Sequence, residues 1–74
     1  QNGLLEVDVT KACKEALGSN LLQYINDISF QNGILKLAIS SASLRQELAM
    51  GKEKIAELIN NQFETAVVKK VVLL

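Results

Sequence analysis

Seventy-four residues carrying eight basic and eight acidic side chains, no histidine and a single cysteine make one small domain, because a chain this short cannot bury two cores. A net charge of zero excludes a global field that would draw the chain to nucleic acid or an anionic membrane, and the missing histidine excludes Ser-His and Cys-His nucleophile pairs together with the commonest zinc ligand. One cysteine excludes an internal disulfide, so composition predicts a reducing, cytoplasmic setting for a protein that is not an enzyme and holds no cofactor or metal.

Along the chain, QNG opens the sequence and recurs at residues 31–33. The spacing predicts a first helix capped by Asp8 or Thr10 and ending near Leu17, with Val9, Ala12, Cys13 and Ala16 on its apolar face and Gly18 releasing the backbone after it. On that face Cys13 is a small core hydrophobe. Leu5 joins the same phase, so the first QNG is expected to end a preceding helix with Gly3 just past it, and the chain to be the ordered part of a longer protein lacking an N-terminal helix. "NLLQY" adds a further turn or two.

"NDISFQ" alternates, with Ile28 and Phe30 on one side, and "GILKLAIS" alternates with Leu35, Leu37 and Ile39 inward and Lys36 and Ala38 outward. Asn32-Gly33 between them is a two-residue turn that needs positive φ at both positions, which Gly adopts freely and Asn at small cost. The second QNG therefore belongs to a hairpin.

Serines at 40, 41 and 43 offer helix caps, and Ser43 to Gln46 has capping-box spacing. Leu44, Leu48, Ile55, Leu58 and Ile59 stay in helical phase across Met50-Gly51, so one continuous helix is expected, with Gly51 on its apolar face admitting a close neighbour. A break at Met50-Gly51 is the alternative. "TAVVKKVVLL" is β-branched and predicts a third strand with Val71 and Leu73 inward, after a turn of helix at Thr65 to Val68. The fold class is then α+β, a small three-stranded sheet with helices packed on one face, in the order helix, strand, strand, helix, strand.

The block from Phe30 to Asn61 closely resembles the bacterial DciA family. Its motif reads here as Asn32, Gly33, Leu35, Leu37, Ser40, Ser41, Arg45, Glu47 and Leu48, of which Asn32, Gly33, Ser41, Glu47 and Leu48 are mainly structural. Upstream, Val9, Cys13 and Gly18 match a helix pattern in which Cys13 stands where the family carries Trp. The resemblance implies a fold like a type II K-homology domain, here without the GxxG loop. It also implies a non-enzymatic role in recruiting or loading the replicative DNA helicase, with weak contact to single-stranded DNA.

Five side chains are candidate binding groups. Arg45 opposes the dipole of its own helix by a few tenths of a kcal/mol to about one, which marks it either for a partner or for a nearby carboxylate. Lys52, Lys54, Lys69 and Lys70 form a possible basic rim, with Glu53 and Glu57 interleaved as in a merely solvated face. Tyr24, Phe30 and Phe63 are the only aromatics, too few for a platform of stacked bases. Besides the helicase adaptor, two readings stand: a small nucleic-acid-binding module, and a domain that only oligomerises a longer protein.

Overall fold

The structure, a computed structural model, describes residues 2–74, with side chains from residue 5 onward. The first helix, α1 (Asn2–Leu17), closes with Gly18 at φ +84°, its N–H donating to Lys14 O at 3.0 Å. That is the left-handed exit a glycine supplies. Gly3, Asp8 and Thr10 all lie within α1, so Gly3 does not end an earlier helix and neither Asp8 nor Thr10 caps this one. The reason is the phase noted above: Leu5 precedes Val9 by one turn, and the helix continues back through it. What precedes Gln1 lies outside the described residues. The short α2 (Ser19–Leu22) follows, as expected.

β1 (Ile25–Gln31) and β2 (Ile34–Ile39) pair antiparallel through Asn32 at φ +55° and Gly33 at φ +81°, the paired positive φ of a type I′ turn. Ile25 pairs with Ile39 but Asp27 already pairs with Ala38, so Asn26 is an extra residue. This bulge has a consequence for the core. Ile25 is out of step with Ile28 and Phe30 by strict alternation, and one inserted residue returns it to the inward face.

The connection from β2 runs through two helices, α3 (Ala42–Ala49) and α4 (Lys52–Asn60). The expected continuous helix is broken at Met50-Gly51. Met50 N–H turns back to Glu47 O at 3.2 Å and Gly51 N–H to Leu48 O at 2.9 Å, ending α3, while Gly51 O accepts Ile55 N–H at 3.0 Å to begin α4. Gly51 admits no close neighbour either: a Cβ there would meet nothing nearer than Leu48 O at 3.9 Å. The phase misleads because Leu48 and Ile55 are seven residues apart, about two turns, a spacing at which both can face the core whether or not the axis bends between them. Each half has its own target, α3 at the sheet and α4 against α1 and β3. Glycine in mid-helix also costs about 1 kcal/mol.

Residues 65–68 form no helix; the chain there runs without regular structure into β3 (Lys70–Leu73). Asn60 holds it in place. Its Oδ1 accepts Val68 N–H at 2.8 Å and its Nδ2 donates to Val68 O at 2.9 Å, so both main-chain groups of Val68 are satisfied by one amide instead of by a helical turn. Val68 is thereby fixed in the core. β3 pairs parallel to β2, with Leu35 opposite Val71 and Leu37 opposite Leu73. The sheet is three-stranded and mixed, in the order β1-β2-β3.

Leu35, Leu37 and Ile59 are fully buried together with Val9 and Cys13. One layer of helices thus covers one face of the sheet, the α+β arrangement expected from the element order.

Candidate partner-binding surface

Arg45 closes the first turn of α3, its N–H donating to Ser41 O at 2.9 Å, and its charge is used within the chain. Ser41 caps the helix, its Oγ accepting Leu44 N–H at 3.2 Å. This selects among the three serines: Ser43 lies inside the helix, and its hydroxyl stands 3.2 Å from that of Ser41. From α3 the Arg45 guanidinium reaches back to the sheet, Nη1 donating to Ile39 O at 3.3 Å and to Leu74 O at 3.5 Å. It is half-buried and faces main-chain carbonyls, not the neighbouring carboxylate expected of it. Those carbonyls cluster where β2 and β3 end. A delocalised cation with donors in a fixed fork suits such a cluster.

The four lysines do not form one rim. Lys52 and Lys54 occupy the start of α4, just past the break, where Lys54 Nζ lies 3.7 Å from Glu57. Both partners are exposed, so the pair contributes little. Lys69 and Lys70 stand at the hairpin end of the sheet, where their N–H groups donate to Gly33 O at 2.8 and 3.2 Å. Arg45 is at the opposite end, beside Ile39. The stem of Lys69 also lies across the turn, so that a Cβ on Gly33 would come within 3.3 Å of its Cγ and Cδ.

The family-motif residues have structural places. Asn32 and Gly33 shape the turn and offer the carbonyl that receives β3; Ser41 caps α3; Leu48 packs on the core; Glu47 is exposed, and its carbonyl closes α3. Cys13 is 0% exposed, and burial pushes its thiol up to about 11. It therefore stays protonated at neutral pH and serves as core, the role its spacing predicted. Phe30 points inward as expected, while Tyr24 is partly exposed and its carbonyl accepts both the N–H and the hydroxyl of Ser40.

Sequence reasoning passed over two residues. Asn60 looked like one of several polar residues at a helix end, and nothing local announces a partner eight positions on. Lys36 was seen only as pointing outward. Alternation places Lys36 and Lys70 outward, but that they share one helix-free face follows from the register, in which Ile34 pairs with Lys70 and Lys36 with Val72.

Among the described residues, no three His, Cys, Asp or Glu side chains stand close enough to hold a metal ion, and no helix is long and apolar enough to cross a membrane. The fold is that of a small α+β domain whose charged side chains, Arg45 apart, are exposed on its helices, strands and loops. The family model described as "Dna[CI] antecedent, DciA" matches residues 1–73. The chain belongs to the DciA family, which is associated with loading of the replicative helicase in DNA replication. A comparison with curated proteins finds no match.

Proposed function

We propose that residues 1–74 form a single DciA-type domain of K-homology-like fold that acts in the cytoplasm as a non-enzymatic adaptor, recruiting or loading the replicative DNA helicase. The observation that carries this reading is the extent of the family match, which runs from α1 to the end of β3 and so covers every element that shapes the surface. Neutral net charge and few exposed aromatics support a protein partner over nucleic acid as the main source of affinity. The test is direct capture of the host's purified replicative helicase by the immobilised chain. Retention of the helicase at physiological salt is expected. Tight binding of single-stranded DNA with no helicase retained would replace the adaptor with a nucleic-acid module.

One observation favours a secondary role in contacting single-stranded DNA. The break at Met50-Gly51 creates a helix-turn-helix whose turn is followed by Lys52 and Lys54, the place at which a K-homology domain grips nucleic acid. Glu53 and the absence of a second glycine weaken that grip. Binding there is expected to be weak and to fall steeply with salt.

A further inference from the structure

The two faces of the sheet carry different patterns on different strands. On β1 the outward positions Asp27, Ser29 and Gln31 are all polar, as a strand with one wet face requires. On β2 and β3 they are Ile34, Lys36 and Ala38, then Lys70 and Val72, with Leu74 following. Ile34, Ala38 and Val72 are half-buried and Leu74 is 59% exposed, yet among the described residues no helix lies over them, because the helices pack on the opposite face with Leu35, Leu37 and Val71. These two strands thus read as near-continuous apolar runs, the pattern of strands covered on both sides.

On β2 and β3 this face carries only cations, and its one carboxylate, Asp27, stands on β1 opposite Ala38. Lys36 and Lys70 are exposed, neither is in an ion pair among the described residues, and neither β2 nor β3 contains a carboxylate. The paired register places Ile34 beside Lys70 and Lys36 beside Val72, so the two lysines flank a narrow apolar strip. Two lysines against the single carboxylate of Asp27 leave this face net positive, so carboxylates on a docking partner would meet complementary charge.

We infer that the helix-free face of β2 and β3 is the docking surface for an acidic amphipathic helix of the replicative helicase, its apolar side on Ile34, Ala38 and Val72 and its carboxylates against Lys36 and Lys70. This rests on the adaptor reading above and gives it a location. A helix fits better than an added strand, since the face offers side chains, whereas a strand would pair with the outer edge of β1 or β3 and leave the face uncovered.

The test measures helicase binding by the whole chain at several salt concentrations, comparing the parent with the Lys36→Glu/Lys70→Glu variant and with Val72→Thr. Both lysines are exposed, so the charge reversal is expected to leave the melting temperature unchanged, weaken helicase binding at least tenfold and reverse its salt dependence. Val72→Thr is expected to weaken binding by a smaller factor. A Lys11→Glu variant, at an exposed position of α1, is expected to bind as the parent does. Parent and Lys36→Glu/Lys70→Glu chains that bind the helicase equally would overturn the inference and leave the adaptor standing, whereas a parent that binds no helicase overturns the adaptor itself. Two further outcomes would also sink the inference: a change in the mass of the free chain on charge reversal, which makes the face a contact between copies, or loss of single-stranded DNA binding with helicase capture intact.

Discussion

The hairpin of β1 and β2 and the crossover of α3 and α4 are held by different kinds of information. In the hairpin, each residue's local requirement agrees with its tertiary place: Asn32 and Gly33 take positive φ, and Leu35, Leu37 and Ile39 alternate into the core. In the crossover the local pattern is satisfied by more than one path. Helical phase runs unbroken through Met50-Gly51, yet the chain bends there, and the segment after α4 is placed by a side-chain amide instead of a ladder. Elements specified by backbone conformation are thus legible one residue at a time, whereas elements specified by what they pack against are not.

Substitutions can sharpen that contrast. The largest effect is expected at the turn: Gly33→Val places a β-branched residue at φ +81° and crowds the Lys69 stem, so chemical denaturation should show a loss of about 1 to 3 kcal/mol. In the crossover, Asn60→Ala removes both hydrogen bonds to Val68 and should cost about 1 to 2 kcal/mol, with hydrogen exchange rising first around residues 66–69. Unchanged exchange there would mean that β3 is positioned without the amide clamp.

A smaller loss is expected from Arg45→Ala. Its two contacts to Ile39 O and Leu74 O are long, and removing them should lower stability by about 0.5 to 1.5 kcal/mol. An effect on helicase capture larger than the stability change predicts would show that the guanidinium also meets a partner.

The smallest effect, and of opposite sign, is expected at the break. Gly51 has open space at its Cβ and a φ of −119°, so Gly51→Ala should be neutral or raise stability by up to about 1 kcal/mol through the unfolded chain. A bulkier Gly51→Leu should not clash, contrary to what an inward-facing glycine in an unbroken helix would predict. A marked drop in melting temperature for either variant would restore the unbroken helix.

The candidate binding residues show the same division. Lys36 and Lys70 could each be placed on an outward strand face from alternation alone, and only the register of β2 on β3 makes them neighbours. Arg45 could not: its position against its own helix dipole was visible, but its partners are main-chain oxygens six and 29 residues away. Grouping the lysines into one rim fails for a similar reason, since proximity on a surface is a property of the folded chain. The grouping placed Lys52 and Lys54 with Lys69 and Lys70, which the structure separates between the start of α4 and the hairpin end.

By itself, the sequence determined the α+β class, the hairpin and its turn, the inward residues of the three strands from Ile28 onward, the core role of Cys13 and the family. Each follows from a residue's own backbone preference or from a period of two or 3.6, and these act over a few neighbouring residues. Only the tertiary structure decided that α1 runs back through Gly3, that the crossover bends at Gly51, that Asn60 anchors Val68, and that Arg45 closes the ends of β2 and β3. Those outcomes depend on contacts between segments far apart in the chain, where a polar group is satisfied or an apolar face covered by a partner that local sequence does not name.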